Sequence, residues 1–468
     1  MIQTTEEITR IIQAGNEDIT SKMLADLIDE HRHGDGKRQK SLWARYTLED
    51  APIMHRVPAS YEKVNREIAD DFYADVVDTK VGYMGNEVSV TLDKEKYEDE
   101  AEYDKELEHM DDWKIRANAE DLNSEMVGLA GACGLGYRLL YVPIGLNDIY
   151  IKNISPWEVI YIYDQSIDIP TIAIRYYIIK GTEYGDKTTY KDYTVVEWYD
   201  EVGVTYYIDD GRLNFHMDIT RGKDGYDTHM FEGIPIIPFP NNGLMTGEPE
   251  KALTLIDAYD AILSSTTSEI EQLRMAYMFV KGMGLEISDT YIKQLEQTGM
   301  FALDETGEVG FIDKELSDGP VHNILEEIRK NIYQFSKSID MSKDFGGDMR
   351  VIGWQVALLN LENSCKITER KFTRALRKQY ELMSAYWKTY QSIDIEVMRL
   401  KFTFTRNFPR DLAAEAEILN SLLGTISDHT AFSQMSFIDD PDQEIAKIEA
   451  QRDPFREADD GDEGSDTE

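Results

Sequence analysis

The sequence predicts an α+β protein in which long helices accompany a section rich in β-strands. Apolar residues spaced three and four positions apart predict two long helices, one over residues 253–280 and the other over residues 321–339. Between residues 137 and 239, short β-branched and aromatic runs alternate with turn residues, a pattern that predicts antiparallel strands. A chain of 468 residues, 42% of them hydrophobic, has room for two or three domains.

The formal net charge of -40 argues against a protein that grips nucleic acid by neutralising its phosphates. It is compatible with a protein that surrounds a nucleic acid without holding it, and with the commoner role of acidic surfaces in solubility. The acidic residues are unevenly distributed along the chain. Residues 457–468 hold seven carboxylates and no base, which predicts a disordered tail, and residues 93–112 hold eleven acids against three lysines, which predicts a solvated helix or loop.

The two cysteines, Cys133 and Cys365, lie far apart in the sequence, which is typical of reduced thiols in an intracellular protein. No apolar run follows a basic start, and no uncharged stretch reaches the roughly 18 residues that a membrane span needs. We therefore expect a soluble protein that is made in the cytosol and has no contact with a membrane.

The N-terminal 33 residues predict helix, with Thr4 as an N-cap. His31 and His33 end that run. Because no companion ligand follows at a recognised spacing, they indicate an exposed helix end rather than a metal site. The next predicted elements are a helix over residues 61–77, a hairpin-like stretch over 83–90, a helix over 112–132 and a strand over 137–142.

The β-rich section continues with antiparallel strands, for which pairing of successive runs is the economical arrangement. They are predicted over residues 150–154, 159–163, 172–179, 193–199, 204–208 and 213–217. A proline-stiffened stretch, residues 234–243, then predicts an extended connector. No glycine-lysine pair is followed by serine or threonine, so we expect neither a nucleotide-binding loop nor a cofactor.

The two long helices each carry a narrow apolar stripe like the seam of a coiled coil. The stripe of the first comprises Ile256, Tyr259, Leu263, Thr266, Ile270, Leu273, Tyr277 and Val280. The stripe of the second comprises Val321, Leu325, Ile328, Ile332, Phe335 and Ile339. We interpret these seams as assembly elements that mate with other copies of the chain, the alternative being an ordinary helical hairpin in a core. The small residues at 264–268 allow close helix approach, and no histidine accompanies them as a catalytic hydroxyl patch would require.

Between the seams, residues 282–319 predict a compact insert with a short helix over 288–297 and a hairpin that pairs 301–303 with 309–312. Pro320 begins the returning helix in a favoured position. That helix leads into a polar loop, residues 341–350, which the adjacent Gly346 and Gly347 make flexible.

A third long helix is predicted over residues 352–390, on the order of 60 Å if straight. Lys366, Arg370, Arg374 and Arg377 form one basic stripe on it. The stripe could meet phosphate, but neutralising carboxylates on a neighbouring helix or subunit is the better explanation. A half-buried strand over 398–404 and helices over 411–423 and 440–452 complete the chain.

Residues 234–243, followed by 255–259, resemble the signature of portal proteins from tailed double-stranded DNA bacteriophages. Residues 404–410, with 439–441 and Glu444, are similar to the C-terminal part of the same family, and the order of elements agrees over nearly the whole chain. The resemblance implies a portal fold with long stem helices, a β-rich wing, a small α/β clip and a helical crown. It also implies a non-enzymatic ring, typically of twelve subunits, at one capsid vertex around a DNA channel.

By the same resemblance, each segment takes a place in that ring. The wing comprises residues 1–240, the long helix 352–392 and the strand 393–406; the stem helices are 241–281 and 320–341; the clip is 282–319, the tunnel loop 342–351, the crown 407–456 and the acidic tail 457–468. The implied partners are double-stranded DNA, the terminase large subunit docked on the clip, the major capsid and scaffolding proteins, and a head-tail adaptor. The protein would be assembled in the host cytoplasm and reside in the virion.

The tunnel loop would face the DNA with Lys343, Asp344, Phe345, Gly346, Gly347, Asp348 and Arg350. Lys343 and Arg350 are the candidates for transient phosphate contact, and Asp344 and Asp348 would keep such contacts weak. The chain departs from the family pattern at Trp354, Gln355 and Cys365, where small residues are expected, so helix packing near the channel is open.

Two other functions remain as alternatives. One is a metal-dependent phage nuclease that uses carboxylates such as Asp257 and Asp260, although these two residues fall on different helix faces. The other is a helical scaffold or adaptor protein without a channel. No catalytic or metal-binding residue is predicted for the portal function.

Overall fold

The structure is a computed structural model, and it describes most of the chain in two compact units. The described residues are 20–58, 64–85, 88–163, 170–183, 189–209, 214–274, 278–281, 308–311, 318–342, 358–407, 419–421, 425–432, 445 and 448. The first unit comprises residues 1–344 and 358–406, and the second comprises residues 345–357 and 407–468.

Helices and sheets both occur in the first unit, which confirms the α+β class. Its helices are α1 Ser21–His33, α2 Asp35–Tyr46, α3 Phe72–Lys80, α4 Glu100–Arg116, α5 Ala119–Cys133, α6 Leu253–Arg274, α7 Asp318–Phe335 and α8 Leu359–Tyr386. Its strands are β1 Val88–Leu92, β2 Leu135–Tyr141, β3 Tyr150–Ile154, β4 Val159–Tyr163, β5 Pro170–Glu183, β6 Thr189–Tyr199, β7 Gly203–Asp209, β8 Phe215–Met217, β9 Tyr226–Thr228, β10 Ile236–Pro240, β11 Met278–Lys281, β12 Glu308–Phe311 and β13 Leu400–Phe404.

The largest sheet has the strand order β4-β5-β6-β7-β8, with β9 paired to β7, and every pairing is antiparallel. The prediction that successive runs pair is therefore confirmed for these strands. One face of the sheet is covered by α1, whose Leu24, Leu27 and Ile28 share a buried cluster with Ile160 and Trp198.

Two other sheets depend on pairings that the local sequence did not indicate. The predicted connector at 234–243 contains β10, which pairs with β2 at the edge of a three-stranded sheet, a position where prolines are tolerated. The prediction of a hairpin-like stretch over 83–90 is wrong, because β1 instead pairs with the distant β13, with Val88 opposite Phe404. The alternation of β13 itself is confirmed, since Leu400 and Phe404 are buried.

Three helix predictions in the first half of the chain need correction. The helix predicted over 61–77 begins only at Phe72, and residues 64–70 belong to no helix or strand. The helix predicted over 112–132 is divided at Asn118, whose left-handed φ of 49° separates α4 from α5. The run that ends at His33 is followed at once by α2. His31 is buried rather than exposed, and its Nδ1 lies 2.7 Å from the hydroxyl of Tyr176.

The two seam helices are shorter than predicted. α6 ends at Arg274, so Val280 lies on β11, and β11 pairs with β12 through Val280 and Val309. The predicted partner of β12, residues 301–303, lies outside the described residues, as does Tyr277, and Leu273 has no described side chain. α7 ends at Phe335, so Ile339 lies beyond the helix.

The long helix α8 continues into a π-helical turn, Trp387–Gln391, as the prediction of a helix to about residue 390 required. Its predicted first residues, 352–357, lie outside the described part. In the second unit the structure describes a short helix, Asp428–Phe432, in which Ala431 and Phe432 are buried, and helical residues 419–421. Most of the predicted helices at 411–423 and 440–452 fall outside the described residues. None of the helices in the described ranges is long and apolar enough to cross a bilayer.

Candidate functional site

The first stem candidate, α6, turns a stripe of residues four positions apart toward the interior. This stripe comprises Ala252, which lies just before the helix, Ile256, Asp260, Ser264 and Ser268, all of them buried. Ile256 lies in an apolar core with Phe72 of α3 and with Ile332 and Tyr333 near the end of α7. Because the start of α6 meets the end of α7, the two helices run antiparallel, as the sequence predicted.

The polar half of this stripe binds the backbone of residues 64–70. The amide nitrogens of Arg66, Ile68 and Asp70 donate to Ser268 Oγ at 3.0 Å, Ser264 Oγ at 2.9 Å and Asp260 Oδ1 at 3.0 Å. This match indicates that residues 64–70 are extended, since two residues of an extended chain advance about 6.7 Å and four residues of a helix about 6.0 Å. The serines of α6 therefore hold an extended segment, a role that the sequence analysis missed.

The seam residues divide into those that the chain itself buries and those that it leaves exposed. Ile256, Ile332 and Ile339 are buried within the chain, which corrects their assignment to contacts between copies. The half-buried members are Tyr259, Leu263, Thr266, Val321, Leu325 and Ile328. Ile270 is 39% exposed, Phe335 is 52% exposed, and Ile324, which was not predicted, is 51% exposed. An apolar surface thus remains on both helices.

The carboxylates considered for a nuclease have other partners. Asp257 forms an ion pair with Arg45 of α2 through two contacts of 2.5 and 3.2 Å. Asp260 is 2% exposed and accepts the amide of Asp70, and burial raises its pKa to about 6. Among the described residues, no group of three or more histidine, cysteine, aspartate or glutamate side chains could hold a metal ion.

A buried polar cluster joins α3, the loop before α6 and α8. Lys80 is 2% exposed, and its Nζ binds Glu248, Asn241 Oδ1 at 2.9 Å and Thr368 Oγ1 at 2.7 Å. Ser364, one turn earlier on α8, donates to Glu248 Oε2 at 3.2 Å. Because the ion pair is enclosed and hydrogen-bonded, the cluster fixes the first half of α8 against the rest of the unit.

The first turns of α8 are also clamped by Arg406, the last residue of the first unit before the chain enters the second. The guanidinium of Arg406 binds Glu362 at 2.8 Å and Glu369 at 2.8 Å. Burial alone would raise the pKa of Glu362, but Arg406 holds that pKa below its usual value.

A family model for phage portal proteins of the SPP1 Gp6-like type matches residues 29–454. The chain belongs to this family of phage portal proteins. The portal protein of Bacillus phage SPP1 is 26% identical to it over 483 aligned residues, which cover 97% of this chain and 91% of the relative. The portal protein of Clostridium phage phiCD119 is 20% identical over 407 residues, covering 84% and 86% respectively. Portal proteins of phages are components of the virion.

The tunnel-loop residues predicted for this portal protein, from Lys343 to Arg350, lie outside the described residues. The chain just before them is well anchored. Asp340 Oδ1 accepts from Arg329 at 3.0 Å and from the amide of Ser342 at 3.1 Å. The position at which the loop leaves α7 is therefore fixed to the side of that helix.

The basic stripe predicted on α8 is only partly matched within the portal subunit. Lys366 lies 3.6 Å from Glu362, and the guanidinium of Arg377 lies 5.9 Å from the ring centre of Phe402. Arg370 and Arg374 are exposed, and neither pairs with a carboxylate in the described part of the chain.

Both cysteines are free and buried, as the sequence analysis expected of thiols that form no disulfide. Burial raises the pKa of Cys133 and of Cys365 to about 12. Neither thiol is therefore suited to act as a nucleophile at neutral pH.

Proposed function

We propose that copies of this portal protein form a ring, with twelve subunits, around a central channel at one capsid vertex. Double-stranded DNA would be packaged, retained and ejected through this channel. The observation that carries the proposal is the apolar surface that remains on the antiparallel helices α6 and α7. Ile270, Ile324 and Phe335 stay exposed although the chain completes its own core with Ile256 and Ile332. Exposed apolar residues on a helix pair favour a contact with another copy.

The segments of the chain take their places in the ring as follows. The stem consists of 241–281 and 320–341, the clip of 282–319, the tunnel loop of 342–351, and the crown of 407–456; residues 1–240, 352–392 and 393–406 form the wing. The clip docks the terminase large subunit, which supplies the ATP-driven motor, so the portal protein itself is not an enzyme. The other partners are the major capsid and scaffolding proteins and a head-tail adaptor, and assembly takes place in the host cytoplasm.

The channel passes DNA with little adhesion. A net charge of -40 disfavours strong phosphate binding along the wall. Lys343 and Arg350 of the tunnel loop make transient phosphate contacts, and Asp344 and Asp348 keep them weak. The exposed seam residues lie between subunits rather than against DNA.

Negative-stain electron microscopy of the purified protein tests the ring. Class averages viewed along the axis should display a closed ring around a hole, and a uniform monomer under all assembly conditions would contradict the proposal. A double variant, Ile324→Glu with Phe335→Glu, should lose rings because charges would be buried in the seam. Its matched control is Ile178→Glu, at a residue that is 59% exposed on the largest sheet, and it should assemble as the natural chain does.

Electron microscopy and a DNA cleavage assay together separate the alternatives. A scaffold or adaptor without a channel would give neither a ring nor bound DNA. A nuclease would cleave plasmid DNA when Mg²⁺ is added. The engagement of Asp257 by Arg45 and of Asp260 by the Asp70 amide gives that alternative no support.

A further inference from the structure

The exposed side of α8 is a basic surface in a strongly acidic protein. Six basic residues and one acid fall between residues 366 and 378. The α8 basic face consists of Lys366, Arg370, Lys371, Arg374, Arg377 and Lys378, and it lies opposite the buried side of the helix, on which Phe372 and Leu376 are 1% exposed. Arg370 and Arg374 at its centre have no carboxylate partner in the described part of the chain. Ile367, 41% exposed, lies beside them.

The exposed side of α4 has the opposite charge. Residues 98–112 hold nine acids and one base, Lys105. The α4 acidic face consists of Asp104, Glu108, Asp111 and Asp112, and it also carries Ile115, which is 80% exposed. Asp111 is 2.8 Å from Lys114 and Asp112 is 3.8 Å from Arg116. Asp104 lies near Lys94 and helps to raise the pKa of that lysine, but neither Asp104 nor Glu108 forms an ion pair in the described part of the chain.

These two faces cannot meet within one chain, because α4 and α8 pack against each other by their inner sides. The ring of Trp113 on α4 lies 5.8 Å from that of Tyr380 on α8 and 5.9 Å from that of Trp387, which follows α8. Asp104 and Glu108 lie on the side of α4 away from Trp113, and Arg370 and Arg374 lie on the outer side of α8. Complementary faces on different sides of one molecule fit a head-to-tail contact, which closes into a ring when the rotation allows it.

We propose that the α8 basic face of one subunit binds the α4 acidic face of the next copy of this chain. This inference rests on the proposed ring and names a second contact in it, apart from the stem helices. The exposed Ile367 and Ile115 lie within the two faces and supply apolar contact between the charges. Each exposed ion pair contributes little alone, but opposed fields orient the subunits and speed their encounter. Duplex DNA is the other polyanion that could occupy the α8 basic face, and the -40 charge of the chain disfavours it.

Charge reversal on each face tests the contact. The first variant is Arg370→Glu with Arg374→Glu, and the second is Asp104→Lys with Glu108→Lys. In about 0.1 M salt each variant alone should remain monomeric by native mass spectrometry, because like charges then face each other. An equimolar mixture of the two should recover rings in which the variants alternate. The matched control, Lys180→Glu with Lys223→Glu, reverses one exposed lysine on β5 and one in the turn between β8 and β9, and it should form rings normally.

Each outcome decides the proposal. Rings formed by either variant alone, or a mixture that stays monomeric, would overturn it while leaving a ring built by the stem intact. A first variant that keeps its rings but loses binding of double-stranded DNA would assign the α8 basic face to DNA instead. Failure of the natural chain to form any ring would overturn the proposed function together with this contact.

Discussion

The side chain of Ser264 satisfies both backbone groups of Ile68, a residue almost two hundred positions earlier in the chain. Its hydroxyl accepts from the Ile68 amide at 2.9 Å and donates to the Ile68 carbonyl at 3.2 Å. A neighbouring β-strand would ordinarily supply such a pair of hydrogen bonds. Here a helix supplies them, because serine is small enough to let the extended backbone of 64–70 lie directly on α6.

Removing this hydroxyl should loosen residues 64–70. Ser264→Ala leaves the amide and carbonyl of the half-buried Ile68 without partners, a cost of about 1–3 kcal/mol. We expect faster hydrogen exchange at the amides of Arg66, Ile68 and Asp70, and a lower melting temperature. Ser265→Ala is the matched control, because Ser265 is exposed on the same helix, and it should leave both measurements unchanged. Unchanged exchange in Ser264→Ala would show that the hydrogen bonds do not hold the segment.

The buried carboxyl of Asp260 should make stability depend on pH. Burial raises its pKa to about 6, so the folded state holds a proton that the unfolded state has already lost above its ordinary pKa near 4. Stability from this group should fall as pH rises from about 4 to about 6 and stay low above that.

Asp260→Asn keeps the oxygen that accepts the Asp70 amide and removes the charge. We expect it to stabilise the chain at pH 7 by roughly 1–2 kcal/mol and to flatten the slope between pH 4 and 6, measured by denaturant titration. Asp257→Asn is the contrasting variant, because it breaks the Arg45 ion pair and should destabilise at pH 7. If Asp260→Asn were less stable than the natural chain at pH 7, the buried charge of Asp260 would not be the cause of the pH dependence.

The ion pair of Lys80 and Glu248 should be costly to break from one side only. Lys80→Met leaves the buried Glu248 without its cation, and we expect a loss of about 3–5 kcal/mol in the free energy of unfolding. Lys80→Met combined with Glu248→Gln removes both charges and should recover most of the loss. Thermal melts of the two variants give the comparison, and equal destabilisation in both would mean that charge burial is not the cause.

Replacing Lys343 and Arg350 of the predicted tunnel loop should change DNA packaging and retention rather than folding. Lys343→Ala with Arg350→Ala removes both proposed phosphate contacts, so capsids assembled with this variant should package several-fold less DNA or release it faster. The ring and the melting temperature should not change. Lys180→Ala with Lys223→Ala is the control for the loss of two charges. Packaging and retention equal to those of the natural protein would remove DNA contact from these residues.

Local patterns in the sequence predicted the elements that are stabilised by their neighbours along the chain. The antiparallel strands β4 to β8 and the helix α8 are of this kind, since periodicity and turn residues specify them directly. The pairing of Val88 with Phe404 could not be predicted, because the sequence of one strand does not specify which distant strand it will pair with.

The candidate site was predicted only in part for the same reason. Most residues of the two narrow stripes lie on the antiparallel helices α6 and α7, as predicted, but Val280 and Ile339 lie beyond the helices. Ile256 and Ile332 meet side chains of their own subunit. The polar stripe of Asp260, Ser264 and Ser268 could have predicted a polar partner for this face of the helix. Small polar residues four positions apart on a buried helix face require a polar partner, and the extended residues 64–70 provide it.

The hydrogen bonds between residues 64–70 and α6 should resist force differently in different directions. The bonds at Ser268, Ser264 and Asp260 are spaced along the helix axis. A force along that axis strains all three hydrogen bonds at once in shear, whereas a force directed away from the helix breaks them one after another. We therefore expect α6 to resist sliding along residues 64–70 far better than being pulled away from them.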